Sequence, residues 1–439
     1  RRQRQMCIRD RIRSGQSFLY RINGYDSTVV EIRMRDKVTG SYLQVALTNT
    51  ARRFPYLTQK LVEKGGAYYL HRDDNSMVAV KTDKFRTLGS MATGYHLLDV
   101  TYTGNCIRVA FHHGLCDGRG VMPFVEALLY DYCCQKYHKK FSAEGIRLPG
   151  DPIPEEETAE PFSREFYEVD ETAIQPVEHD GFALPESTST PEACYHSEIL
   201  LDENTFVHAA KAIGATPTLF AAMLLSRCIL ELNPHAEKPV VCNLAMDLRS
   251  AIGKEQTHRN CVGTAYLPYT AQDGANAPEE LARRYRELLA AQRDPNAVKA
   301  GLNKQIGLFN KLDELPTLEK KRKLMSFFNG MVNNTYVISY MGRLRLNDYA
   351  QYVESAHFFS DTICGLTVNM VAAAGKLSFE MLQGFPGAGY AQAFRQALAP
   401  YGLISATALE VVTTGKDKSF VTASHQAERY YAKSETPWL

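Results

Sequence analysis

The segment that most constrains the fold of this 439-residue chain lies between residues 106 and 132. In its first part apolar residues alternate with others, which predicts a strand with one buried face. They are Ile107, Val109 and Phe111. In its last part they recur every three or four positions, which predicts a helix with one apolar stripe. They are Val121, Phe124, Val125, Leu128, Leu129 and Tyr132. A strand followed so closely by a helix predicts a mixed α/β fold with a tight turn between the two elements.

The turn itself is the run His112-His113-Gly114-Leu115-Cys116-Asp117-Gly118. Histidine suits proton transfer near neutral pH, because its ordinary pKa of about 6.5 leaves it mostly uncharged there. Two adjacent histidines at a strand end point in different directions, so only one of them can face a substrate. Gly114 and Gly118 permit close backbone approaches that a side chain would block. Asp117 can brace the loop by pairing with an arginine.

Other interpretations of the turn are weaker. The histidines can be hydrogen-bonded residues of a purely structural turn. A zinc site needs a cluster of ligands, and adjacent histidines seldom share one ion, so we expect no metal. A Cys-His nucleophile at Cys116 lacks any further sign of an activated thiolate. Arg119 is interpreted as a residue that contacts solvent or a phosphate of a donor, or that caps the following helix. Asn260 is interpreted as a turn residue.

The chain divides by composition into two α/β halves and a polar segment between them. We predict domains at 17–142 and 194–439, joined by a crossover at 143–193 that contains seven of the 19 prolines. Such a segment is typical of an extended linker. Elements predicted before it are two helices within 41–63 split by Pro55, and hairpins at 67–70/77–80 and 96–102/106–111. Elements predicted after it are helices at 203–213, 217–232 and 390–398, and strands at 239–247, 334–341, 366–372 and 376–383.

Composition excludes several classes of protein. Fifty basic and 49 acidic residues give a net charge of +1, which is not the pattern of a nucleic-acid binder. No apolar run approaches the ~18 residues of a membrane span, so we do not expect an integral membrane protein. The ten cysteines form no C-x-x-C pair and are interpreted as reduced thiols. We expect a cytoplasmic monomer, and interpret the arginine-rich first fifteen residues as a disordered or non-native extension.

The run from Phe111 to Gly118 resembles the HHxxxDG signature of the condensation-domain superfamily. This superfamily includes chloramphenicol acetyltransferase-like enzymes, plant BAHD acyltransferases, nonribosomal peptide condensation domains and free-standing alcohol acyltransferases. Three further segments resemble less specific parts of these proteins, so that the resemblance covers most of residues 17–415. They are the strand Val240–Arg249, the turn Arg259–Gly263 and the strand Asn334–Gly342.

The resemblance implies an α/β architecture of two chloramphenicol acetyltransferase-like domains, each a mixed sheet flanked by helices, with an active-site tunnel between them. It implies that His113 is the general base. Asp117, the other residue assigned to the catalytic site, would have a structural role and pair with Arg249. Ser339 is a candidate donor to the reaction oxyanion. The residues that the resemblance makes structural are His112, Gly114, Gly118 and Arg249.

The D-F-G-W-G loop of the plant enzymes is absent from the sequence, whose one tryptophan is Trp438. The chain also lacks a carrier or adenylation-like region, so it resembles free-standing bacterial alcohol acyltransferases most. We expect an acyltransferase of the EC 2.3.1 type without a bound cofactor. It would move an acyl group from acyl-CoA or an acyl carrier protein to an alcohol by direct attack. Two alternatives stay open: an amide-forming condensation enzyme that uses carrier-bound donors, and a catalytically idle scaffold with the same fold.

Overall fold

The computed structural model describes residues 10–21, 27–71, 76–187, 194–329, 333–360, 365–403 and 411–414. The strands are β1 (Asp10–Arg11), β2 (Ser27–Met34), β3 (Lys60–Lys64), β4 (Ala67–His71), β5 (Val80–Lys81), β6 (Leu98–Thr103), β7 (Cys106–His112), β8 (Cys194–Asp202), β9 (Val240–Asp247), β10 (Val262–Tyr269), β11 (Tyr336–Arg343), β12 (Val353–Phe359), β13 (Leu366–Ala373), β14 (Lys376–Gln383) and β15 (Val411–Thr414). The helices are α1 (Gln16–Leu19), α2 (Gly40–Arg53), α3 (Gly118–Tyr137), α4 (Glu155–Thr158), α5 (Glu203–Ala212), α6 (Pro217–Leu232), α7 (Ala271–Gly274), α8 (Pro278–Arg293), α9 (Pro295–Glu314), α10 (Leu318–Asn329) and α11 (Gly389–Leu398).

Two mixed sheets carry most of these strands. The first has the order β12-β2-β7-β6-β5 and the second the order β10-β9-β11-β13-β14-β8-β15. In the first sheet β5 runs parallel to β6, and in the second β11 runs parallel to β9 and β13. A small third sheet has the order β1-β4-β3. Helices α2 and α3 pack together, and α6 packs on β9, β10 and β11. The predicted architecture of mixed sheets flanked by helices is therefore confirmed.

The elements around the histidine turn are those that the sequence predicts. β6 and β7 form the predicted hairpin, and α3 is the predicted amphipathic helix. The helices predicted in the second half are α5, α6 and α11, and its predicted strands are β9, β11, β13 and β14. Thr216 caps α6, since its hydroxyl accepts a hydrogen bond from the Leu219 N–H.

Two predictions in the first half are wrong. The helix predicted after Pro55 gives way to β3, because Gly65 and Gly66 adopt positive φ values and fold β3 back onto β4. Only glycine takes that conformation at no steric cost. The strand predicted at 77–80 does not pair with 67–70; instead β5 pairs with β6. The turn predicted for this hairpin, at 73–75, lies outside the described residues.

The prediction that the first fifteen residues are disordered is wrong for residues 10–15, the part that the structure describes. Arg13 is buried, and its guanidinium donates to Asp313 Oδ2 at 3.1 Å and to Asn310 Oδ1 at 2.8 Å. It also donates to the main-chain oxygen of Ser163 at 3.1 Å. Residues 1–9 lie outside the described residues. The segment from Ile12 onward is part of the fold.

The crossover at 143–193 is anchored by a buried ion pair. Glu157 of α4 is 1% exposed, and its carboxylate accepts two hydrogen bonds from Arg53, each 2.9 Å long. Arg147 approaches the same carboxylate at 3.0 Å, and the Tyr56 hydroxyl donates to it. The chain also returns from the second half of the sequence to the first sheet, where β12 pairs with β2. A strand from the second half of the sequence is thus part of the first sheet.

Candidate active site

The histidine turn is held by its own backbone. Gly114 donates its N–H to His112 Nδ1 at 2.7 Å, so the ring of buried His112 is fixed by the turn. A Cβ atom on Gly114 would lie 2.8 Å from both His112 Nδ1 and Leu19 Cγ, which leaves no room for a side chain. Asp117 ends the turn as the N-cap of α3, where its Oδ1 accepts the Gly120 N–H at 2.8 Å. The local structure therefore uses His112, Gly114 and Asp117 as supports.

His113 points the other way and is half-buried. The Phe18 ring stacks on it with centroids 4.6 Å apart, and Phe111 meets it edge to face at 5.9 Å. Asn260 Nδ2 donates to the main-chain oxygen of His113 at 3.2 Å and lies 3.5 Å from its Nδ1. Burial, with the positive charge of Arg21 and the neighbouring His112, lowers the pKa of His113 to about 3. Its imidazole is therefore neutral at physiological pH and able to accept a proton.

A buried ion pair lies beneath the turn. Arg249 and Asp117 are each 1% exposed, and Arg249 Nη2 lies 2.8 Å from Asp117 Oδ1. The second carboxylate oxygen accepts the Cys261 N–H at 2.9 Å. Arg249 also donates to Asp247 and to the main-chain oxygens of residues 257 and 259. Burial alone would lower the pKa of Arg249, but the Asp117 carboxylate outweighs it and raises this pKa. The predicted ion pair is present, and it joins the turn to the second half of the chain.

Two residues beside His113 were not predicted as site residues. Phe18 belongs to α1, and Gly15 before it packs so closely on the turn that its Cβ would lie 2.4 Å from the Gly114 carbonyl oxygen. No signal in the sequence marks Phe18, which follows a basic stretch that predicts disorder. Asn260 carried a weak signal, because it lies in the N-x-x-G turn. Its Oδ1 accepts the Val262 N–H at 3.1 Å, which directs the amide nitrogen toward His113.

Solved structures share this architecture at low sequence identity. Polyketide synthase associated protein 5 from Mycobacterium tuberculosis aligns with a TM-score of 0.60 and 15% identity, over 88% of this chain and 96% of its own. TRI101 of F. sporotrichioides, complexed with coenzyme A and T-2, aligns with a TM-score of 0.57 and 12% identity, over 91% and 99%. The first condensation domain of the CDA synthetase aligns at 0.56 and 13%, over 92% and 99%. This chain therefore shares the overall fold of these acyltransferase and condensation-domain structures.

No protein-family model and no curated protein sequence matches the chain. At 12–15% identity the structural likeness concerns the fold alone. The described part of this chain contains no single helix long and apolar enough to cross a membrane. Helices α5 and α6 pass the length and composition test only as a pair bent by 78°.

The remaining candidate residues are Ser339 on β11, and Cys116 and Arg119 in or beside the turn. Ser339 is half-buried on β11, two residues before Met341. The side chain of Met341 contacts Gly118, where a Cβ atom would come within 3.4 Å of it. Cys116 is fully buried, and burial raises the pKa of its thiol well above the ordinary value, which disfavours a thiolate nucleophile. Arg119 is exposed and pairs with Asp247 at 2.7 Å.

A second polar cluster lies between the two sheets. The carboxylate of Glu380 on β14 accepts hydrogen bonds from His196 at 2.5 Å and His357 at 2.6 Å. Burial alone would raise the pKa of Glu380, but these contacts outweigh it and lower the pKa to about 2. Glu198 accepts two bonds from Arg33, at 3.0 and 2.7 Å. Glu198, His357 and Glu380 are close enough to hold a metal ion, but hydrogen bonds and ion pairs already engage them. The expectation of no metal at the histidine turn stays a prediction.

Proposed function

We propose that the protein is an acyltransferase that moves an acyl group from a thioester to an alcohol, with His113 as general base. One observation carries the proposal. His113 is a half-buried, neutral imidazole in a braced turn, where residues from both halves of the chain contact it. A neutral imidazole that is partly accessible can accept a proton from an acceptor hydroxyl that reaches it.

The proposed reaction needs one base and one oxyanion site. His113 takes the proton of the acceptor hydroxyl as its oxygen attacks the thioester carbonyl carbon, and a C–O bond forms. The carbonyl oxygen becomes an oxyanion, for which Ser339 is our candidate donor. When the C–S bond breaks, the protonated His113 returns the proton to the leaving thiolate. Asp117 takes no part in proton transfer, because its oxygens bind Arg249 and the main-chain N–H groups of Gly120 and Cys261.

We further propose that 17–142 and 194–439 are two domains, joined by 143–193, with the substrate channel between them. The contact between Asn260 and His113 supports a channel at this boundary, because it brings a residue of the second region next to the candidate base of the first. Acyl-CoA is the favoured donor, since TRI101 of the same fold was solved with coenzyme A. A carrier-bound donor and an amine acceptor form the second candidate, which the likeness to a condensation domain supports. The intact His113 and Asp117 of the motif count against an idle scaffold.

Turnover of acyl-CoA with a panel of alcohols and amines tests the function. Ester formation that His113→Ala slows by about 10²–10⁴ supports the proposal, and strict dependence on carrier-bound donors favours the condensation alternative. Mass spectrometry of enzyme mixed with donor alone tests the direct attack. The intact protein should keep its mass, because no acyl-enzyme forms. A stable adduct on Cys116 or on a serine would contradict direct attack even if ester formation were observed.

A further inference from the structure

Helix α10 is anchored on the first half of the chain by two members of its basic run at 320–323. Lys321 is 1% exposed, and its Nζ lies 5.1 Å from the centroid of the Tyr20 ring. Arg322 donates to the Tyr68 hydroxyl at 3.3 Å. The inner face of α10 therefore contacts the segment that continues from α1, which packs on the histidine turn.

The other two members of the run point outward, on the side of two phenylalanines. Lys320 and Lys323 are exposed, and Phe327 follows one turn after Lys323, on the same face of the helix. Phe327 is 66% exposed and Phe328 37%, with their rings edge to face at 5.6 Å. Glu319 is an exposed acid in the first turn. The outer face of α10 thus combines lysines at one end with exposed aromatic rings at the other.

We propose that this α10 face, defined by Lys320, Lys323, Phe327 and Phe328, docks on an anionic lipid bilayer. Exposed aromatic side chains gain by entering the boundary between head groups and acyl chains, and lysines on the same face are attracted to anionic head groups. Exposed apolar side chains that lie next to each other, with polar residues beside them, are typical of an interaction surface. An acidic protein surface would satisfy the lysines but offers no fluid apolar layer for both rings. The bilayer would lie about one helix diameter, roughly 10 Å, from the α1 segment.

Sedimentation of the full chain with vesicles tests the docking. The protein should sediment with vesicles of equal parts phosphatidylcholine and phosphatidylglycerol, and far less with phosphatidylcholine alone. High salt should release it, since surface charges are screened. Each lysine near an anionic surface strengthens binding about fivefold, so Lys320→Gln with Lys323→Gln should weaken it about 25-fold. Phe327→Ser with Phe328→Ser should weaken binding at least about tenfold.

Matched control variants remove an exposed charge or an exposed apolar side chain outside α10. Lys140→Gln and Met91→Ser are suitable, because Lys140 is exposed and Met91 is 81% exposed. Both should bind vesicles like the unchanged protein. No sedimentation with anionic vesicles, or equal sedimentation of all variants, overturns the proposal. Binding to an acidic carrier protein that the α10 variants abolish, without vesicle binding, also overturns it. Activity on water-soluble substrates without vesicles should be unchanged in every variant, which separates this test from that of the proposed function.

Discussion

Replacing Asp117 with alanine should destabilise the protein through the charge that it leaves behind. Stranding one member of a buried ion pair costs roughly 3–5 kcal/mol, and Arg249 is only 1% exposed. Asp247 still lies 2.9 Å from Arg249 and compensates part of its charge, so the lower end, about 3 kcal/mol, is expected. Loss of the α3 cap adds about 1 kcal/mol. The sum is a large fraction of the roughly 5–15 kcal/mol that stabilises a typical protein.

Denaturant unfolding followed by circular dichroism measures this loss. Asp117→Asn keeps a capping oxygen but not the charge, so its midpoint should fall between those of the unchanged protein and Asp117→Ala. Adding Arg249→Met to Asp117→Ala should recover part of the stability, because no unpaired charge then remains buried. Asp247→Ala is the control and should cost less than about 1 kcal/mol, since Asp247 is 32% exposed. Soluble Asp117→Ala protein with an unchanged midpoint would refute this reasoning.

Three further predictions concern His113 and its neighbours. His113→Ala should lower kcat by about 10²–10⁴ and leave the circular dichroism spectrum unchanged. His112→Ala should lose less activity but more stability. Equal losses of activity in the two variants would contradict these separate roles. Because the pKa of His113 is lowered to about 3, kcat/KM should stay level as pH falls through about 6.5, where an exposed imidazole would lose activity. The lowered pKa of His113 also makes the free energy of unfolding depend on pH. Below about pH 6.5 the histidine takes up a proton in the unfolded chain but not in the folded one. The free energy of unfolding should therefore fall as the pH is lowered through about 6.5, whereas a salt-bridged histidine would make it rise. Phe18→Ala should lower kcat about two- to tenfold, because it removes the ring stacked on His113 and admits water. It should also move the acid limb of the kcat/KM–pH profile to higher pH. Phe327→Ala is the control, and an unchanged pH profile of Phe18→Ala would exclude a positioning role for Phe18.

The strand, turn and helix around His113 could be predicted because their signals are local. The alternation in β7 and the stripe in α3 are each complete within twenty residues. β2 was not predicted, although Val30, Ile32 and Met34 alternate with the charged Glu31 and Arg33 as they do in a strand. Both charges have partners, since Glu31 accepts from Arg33 and Arg108, and Arg33 also pairs with Glu198. One of these partners lies 165 residues away, which periodicity does not reveal.

The contribution of the N-terminal segment was missed for the same physical reason. A run of arginines predicts a solvated extension unless each guanidinium has a partner. The partners of Arg13 are Ser163, Asn310 and Asp313, up to 300 residues along the chain. The segment is ordered by these distant contacts and not by its own propensity. The ion pair of Asp117 with Arg249 could be predicted only from the family resemblance, because the two residues lie 132 positions apart in the sequence.

The entry of β12 into the first sheet has a consequence for synthesis of the chain. β2 has β7 on one side, but its other neighbour is β12, which begins at Val353. Until the ribosome has made that strand, β2 is an edge whose residues are mostly buried in the finished protein. Such an apolar edge is a template for pairing with other chains. A fragment that ends before Val353 should therefore aggregate or stay bound to chaperones, and the first sheet is completed only after most of the second half has been translated.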